Sequence, residues 1–261
     1  MNNRLIRVAS LIFLIFLAFY QAAYADVRYV FNKHLNEGSK ITEWTHIEIL
    51  GEIKDQDTEK LKNLLLFMRV NHDEYESIPV FLNSQGGSVE AALKMGRMLR
   101  EYNATTAVIH GKQCSSACLF VLAGGVNRLV LFDAVLGLHR PKFNEQKFAE
   151  LDSNQARQVY NSLLLELRAY LREMGILTQL LDDMLLTGSH SMDYRNRTYG
   201  EAVKLAGVDP AYKEWMRART LQSLGPEVLE ARDRYTDCIN ARKPRAFCDR
   251  IYHAELNRLQ Q

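Results

Sequence analysis

The spacing of apolar positions divides the chain into short strands and helices that follow one another. His46–Ile53 alternates through β-rich residues (His-Ile-Glu-Ile-Leu-Gly-Glu-Ile) and predicts a strand. Between Thr58 and Val70 the apolar side chains fall at Leu61, Leu64, Leu65 and Met68, which is helical spacing. Pro79–Asn83 predicts a short buried strand running into Gly86-Gly87. A helix is expected next, with Val89, Ala92, Leu93, Leu99 and Tyr102 near one side and Ser88 placed to cap it. Thr105–His110 predicts another strand. A turn over Gly111–Ser115 then leads into an apolar helix from about Ser116 to Ala123, closed by Gly124-Gly125. Arg128–Phe132 and Val135–His139 predict two further strands joined by Asp133-Ala134. Strand, glycine turn, helix and strand in succession predict an α/β fold with crossovers and a mostly parallel sheet.

Residues 142–190 are charged and helical in pattern, with Leu163, Leu164, Leu167, Leu171 and Met174 marking one apolar face. Glu201–Ala206 predicts a further short helix. After Pro210 the composition shifts. Pro226 is placed to start one helix, and Pro244 to interrupt or start another, so residues 210–261 read as a helical appendage. The expected organisation is an α/β domain over 26–209, with a helical insertion at about 142–190, followed by that appendage.

The first 25 residues have the pattern of an export signal. Arg4 and Arg7 precede an apolar run from Val8 to Tyr20, and Ala23-Tyr24-Ala25 is a small-x-small cleavage site. This predicts a periplasmic or secreted protein cleaved after Ala25, with no stable membrane span thereafter. The signal carries two of the 33 basic residues and none of the 31 acidic ones, so the mature chain is formally neutral. No global field favours nucleic acid or anionic lipid.

An exported chain meets an oxidising compartment, where its four cysteines are free to pair. Cys238 and Cys248 bracket a turn at Lys243-Pro244, and a bond between them staples a helical hairpin. Cys114 and Cys118 leave two readings open. They bridge if the loop before the helix is irregular; otherwise they are small packing residues. His110, Cys114 and Cys118 lack a fourth partner and zinc-like spacing, so no metal is expected.

Three segments carry the chemistry. Residues 83–88 read Asn-Ser-Gln-Gly-Gly-Ser, residues 113–118 read Gln-Cys-Ser-Ser-Ala-Cys, and His139 lies in Leu-Gly-Leu-His-Arg-Pro. In that order and spacing the chain resembles the Clp protease proteolytic subunit, within the wider Clp/crotonase-like fold. Asn83–Ser88 resembles that family's Asn-Ser-Pro-Gly-Gly loop, and Gln113–Ala117 its Gln-Ala-Ala-Ser-Met nucleophile turn. Leu136–Pro141 resembles the stretch carrying its catalytic histidine, and Glu201-Ala202 with Gly207-Val208-Asp209 its closing segment. The likeness covers roughly residues 46–209. It departs from the family at Gln85, where proline is usual, and at Ala117, where methionine is usual.

The resemblance implies a spiral of ββα units and a Ser-His-Asp triad, with Ser116 as nucleophile and His139 as base. Counted back from Glu201-Ala202, Asp193 falls nearest the triad aspartate, one position out of register, while Asp182 and Asp183 lie too far upstream. It also implies self-association into rings or stacks through the 142–190 insertion. The residue types fit acyl transfer: a serine hydroxyl needs a base within reach, and the base needs an orienting acceptor. The Ala117 and Gly87 N–H groups are expected to hold the oxyanion, with Gly86 allowing close backbone approach.

The expected activity is therefore an ATP-independent serine peptidase, acting on peptides or loosely folded proteins without a cofactor. The main alternative is a non-catalytic scaffold that uses the same cleft to bind a peptide. An acyl-CoA enzyme of the crotonase type shares the fold class, but export makes its cofactor scarce and the serine-histidine order fits it less well.

Overall fold

The structure is a computed structural model that describes residues 26–35, 41–71, 77–141, 151–188, 190–241 and 243–259. The export signal expected at 1–25 and the first part of the 142–190 insertion lie outside these residues. The chain divides into two compact units, Met1–Gly207 and Val208–Gln261.

The first unit is mixed α/β with a mostly parallel sheet. Two long strands open it, β1 (Asp26–Leu35) and β2 (Ile41–Ile53), paired antiparallel from Asp26 opposite Leu50 to Leu35 opposite Ile41. The pattern reading begins at His46 and leaves β1 out, although its alternation of Val27, Tyr29 and Phe31 carried the signal. Helix α1 (Asp57–Asn71) crosses to β3 (Pro79–Gly87), which runs parallel to β2 with Ile47 opposite Val80. Helix α2 (Val89–Glu101) then leads to β4 (Thr105–Val108). Ser88 caps α2 as expected, its hydroxyl accepting the Ala91 N–H at 3.2 Å.

The central strand β3 is where the sheet divides. Its first residues pair with β4 (Pro79–Phe81 against Thr105–Ala107), and its later Ser84 pairs with Cys114. That second partner is β5 (Gln113–Ser115), a strand where the sequence predicts only a turn. The strand exists because Gln113, Cys114 and Ser115 also pair with Val135, Leu136 and Gly137 of β7 (Val135–Leu138). A three-residue strand held by two distant neighbours leaves almost no local periodicity.

Helix α3 (Cys118–Gly124) and strand β6 (Asn127–Val130) come between β5 and β7. β6 and β7 are consecutive yet lie in different parts of the sheet, β6 beside β4 and β7 beside β5. Helices α4 (Ser153–Glu173) and α5 (Gln179–Leu186) form the described part of the insertion. β8 (Asp193–Arg195) then pairs antiparallel with β7, and α6 (Arg197–Ala202) precedes the two-residue β9 (Gly207–Val208). The sheet order is β8-β7-β5-β3-β4-β6-β9, with β2 also on β3 and β1 outside β2.

The core lies between this sheet and helices α1–α4. Ile47, Ile49, Val80, Leu82, Leu61, Leu65, Met95, Leu99 and Phe120 are fully or almost fully buried, each side chain contributing about 1.5–3 kcal/mol of hydrophobic stabilisation. All seven residues of α3 are buried. Tyr170 of α4 reaches into the same core and donates to the Phe120 carbonyl at 2.6 Å. Burial pushes the Tyr170 phenol well above its ordinary pKa, so it stays a neutral donor.

The second unit is helical: α7 (Pro210–Leu224), α8 (Pro226–Asn240) and α9 (Arg245–Leu259). Prolines open α7 and α8 at their first turns. Cys238 of α8 is bonded to Cys248 of α9. Arg234 pairs with Glu255 and Tyr235 donates to Asp249 at 2.8 Å, tying the same two helices.

Candidate active site

Ser116 stands between β5 and α3 with φ +56°, a left-handed conformation that residues with a side chain seldom adopt. Holding a non-glycine residue there costs about 1–3 kcal/mol and persists where the surroundings over-determine it. Its N–H donates to the Gly137 carbonyl at 2.8 Å, and its own carbonyl accepts from the Leu119 N–H at 3.0 Å. Ser116 does not cap the helix: the cap position is Ala117, where no side chain bonds the helix end. The Ala117 N–H makes no hydrogen bond to any described residue, so it is free for a ligand oxygen.

Gly86 lies directly against this serine. A Cβ added to Gly86 (φ +104°) would come within 2.6 Å of Ser116 Cβ and 2.8 Å of the Ser115 carbonyl. Gly87 is equally confined, since a Cβ there would fall 2.2 Å from the Ile53 carbonyl oxygen. The glycine pair therefore answers to close backbone approach as well as to the turn. Ser115, next to the nucleophile candidate, ends β5. Its hydroxyl is buried, and a Cβ on Gly137 would come within 2.2 Å of it. That places Ser115 in the strand packing rather than in the cleft.

One cleft of about 860 Å³ collects these residues. Gly86, Gly87, Ser116 and His139 all line it, together with Gln85 at the position where the expected loop has proline. His139 follows the end of β7 and is half-buried. Helix α4 supplies the facing wall through Val159, Ser162, Leu163 and Glu166. Those wall positions escape a motif reading, though their spacing of three and four along the helix was the available signal. Glu52, Asp55, Glu90 and Glu166 outnumber Lys54 on the lining, so the potential there is negative. Ser88 donates to Asp55 at 2.7 Å at the same mouth.

Asp193 is positioned differently. It sits in β8 opposite Leu138, one residue short of His139, and is not among the residues lining the cleft. Its Oδ2 accepts both Arg195 Nε at 2.9 Å and Arg195 Nη2 at 2.6 Å. Asp183 accepts from the Tyr199 hydroxyl at 2.6 Å and Asp182 from Arg168 at 2.7 Å, so both upstream aspartates are engaged elsewhere. The structure thus brings serine, histidine and glycine pair into one space and keeps the aspartate beside it in an ion pair.

Both cysteine pairs are bonded, including Cys114–Cys118, for which spacing left two readings open. Their Cα separations are 5.2 and 5.8 Å, within the range a disulfide spans. His110 is paired with Asp133 at 2.6 Å, and holds that carboxyl below its usual range. Among the described residues no cluster of three or more histidine, cysteine or acidic side chains is arranged to hold a metal. No helix among them is long and apolar enough to cross a membrane.

The site is thus a glycine-lined turn set against a left-handed serine on a mostly parallel α/β sheet. Residues 32–174 match the Clp protease family model, and the chain belongs to that family. Among solved structures, it is similar to a mutant ClpP1 from Listeria monocytogenes at 19% identity and a TM-score of 0.46. That match covers 61% of this chain and 88% of the other.

Proposed function

We propose that this protein is an exported serine peptidase that cleaves peptides or loosely folded proteins without an ATP-driven partner. The observation that carries the reading is the meeting of left-handed Ser116, His139 and Gly86-Gly87 on one cleft, in a chain of the Clp protease family. Ser116 Oγ attacks the scissile carbonyl while His139 takes its proton and returns it to the leaving amine. The Ala117 and Gly87 N–H groups hold the oxyanion, and Asp193 orients the imidazole from the neighbouring strand after parting from Arg195. Export is supported by the signal pattern at 1–25 and by two disulfides, which persist in oxidising compartments. Self-association through the 142–190 insertion is part of the same proposal.

The decisive experiment is labelling by a fluorophosphonate probe. Wild type is expected to label, and Ser116→Ala and His139→Ala to lose labelling. Labelling that survives Ser116→Ala removes the mechanism. The bidentate hold of Arg195 on Asp193 favours a second reading, a scaffold that binds peptide in the cleft without cleaving it. Peptide binding by a protein that neither labels nor hydrolyses peptide would select it.

A further inference from the structure

Cys114 and Cys118 enclose the candidate nucleophile. They lie four residues apart, their sulfurs are bonded, and Ser115, Ser116 and Ala117 are held inside the closed ring. Within that ring the backbone passes from strand through the left-handed φ of +56° at Ser116 to right-handed φ −56° at Ala117. No glycine relieves the left-handed position, since the hydroxyl is what the site needs there.

Apart from its carbonyl, which accepts the Leu119 N–H of α3 at 3.0 Å, the other contacts on Ser116 anchor it towards the sheet. Its N–H is held by Gly137 of β7, and Gly86 of β3 lies against its Cβ. Towards the helix no side chain caps α3. The covalent tie crosses that junction. Cys118 is the first residue of α3, and Cys114 is paired on one side with Ser84 of β3 and on the other with Leu136 of β7. The bond thus fixes the start of the helix to the two strands that carry the glycine pair and lead into His139.

We propose that Cys114 and Cys118 are positioning residues whose disulfide holds Ser116 in its reactive backbone conformation, so that peptidase activity arises only after oxidation outside the cytoplasm. This rests on the reading of Ser116 as nucleophile. Forming the bond removes two protons and two electrons from the two thiols. A disulfide oxidant such as oxidised glutathione accepts them and leaves as two thiols. Both cysteines are fully buried in the folded chain. The oxidation is therefore a commitment made as the chain folds, and solvent thiols do not readily reverse it. With the bond absent, the rest of the core keeps β5 and α3 in place, while Ser116 gains access to ordinary φ values and its hydroxyl leaves the attack position.

The test compares full-length wild type, purified after export, with Cys114→Ala/Cys118→Ala, Cys238→Ala/Cys248→Ala and Ser116→Ala. For each, the maximal rate and half-saturating concentration of fluorophosphonate labelling are measured separately. The 114/118 variant is expected to lose about 10–100-fold in maximal rate with half-saturation and far-ultraviolet circular dichroism unchanged. The 238/248 variant is expected to label like wild type. Equal labelling of the folded 114/118 variant and wild type overturns the positioning role while leaving Ser116 as nucleophile. Wild type that labels no better than Ser116→Ala overturns both readings, and so separates the two failures. Should the 114/118 variant not fold, wild type is refolded across a series of reduced-to-oxidised glutathione ratios. Labelling is then expected to track the fraction of 114–118 bond counted by mass spectrometry, and labelling independent of that fraction overturns the proposal.

Discussion

The two disulfides cross-link regions of opposite character. Cys114–Cys118 lies in a fully buried part of the first unit, where every residue of α3 is buried and three strands converge. Cys238–Cys248 lies in a helical unit with little core: among the described residues of 208–261 only Thr220, Ala231 and Cys248 are buried. The chain-entropy model gives both bonds a similar contribution, about 2 kcal/mol for the shorter ring and about 3 kcal/mol for the longer. The consequences of losing them differ because the neighbourhoods differ. Around Ser116 packing already secures the fold, and the bond is left to govern one backbone conformation. In the helical unit the bond supplies stability that a small buried surface does not.

Breaking the packed region directly has the largest expected effect. Gly86→Ala forces a Cβ to 2.6 Å from Ser116 Cβ at a φ of +104°. It should cost about 3–5 kcal/mol and abolish probe labelling, measured by denaturant titration and labelling rate. A Gly86→Ala protein with normal stability and labelling would mean the glycine and serine do not touch. Next comes the helical unit. Cys238→Ser/Cys248→Ser should lower its local stability by about 2–3 kcal/mol, seen as faster amide exchange in α8 and α9, with labelling at Ser116 unchanged.

Smaller changes sharpen the contrast. Tyr170→Phe leaves the buried Phe120 carbonyl without its 2.6 Å donor and should cost about 1–2 kcal/mol in global stability. Ser88→Ala removes the cap on α2 and the bond to Asp55. Its cost should be about 1 kcal/mol, with a small change in labelling because Ser88 lines the cleft mouth. Both are read from urea midpoints at constant slope.

Much of this was legible in the sequence. Period-two and helical patterns located β2, α1, β3, α2 and β4. The glycine pair, the serine turn and His139 were recognisable as one set because their order matched a known arrangement. Pro226 marked a helix start, and the composition shift after Pro210 marked the helical appendage. Local pattern missed β5, whose three residues are a strand only because Ser84 and Leu136 flank Cys114. It also read the Cys114–Cys118 spacing without deciding it, since a regular helix would have kept those sulfurs unbonded. The bond forms because only Cys118 is helical and Cys114 is still in a strand.

The sequence by itself determined which elements form and which reactive groups are available, because propensity, periodicity and the stereochemistry of glycine and proline act over a few neighbouring residues. Only the tertiary structure decided how those groups meet. Ser116 takes a left-handed φ that no residue beside it favours, held by Gly137 and Gly86 from strands distant in the chain. Asp193 comes to lie opposite Leu138 through strand register alone. Register and backbone strain arise from hydrogen bonds and packing between separated segments, and such contacts have no signature in the local order of residues.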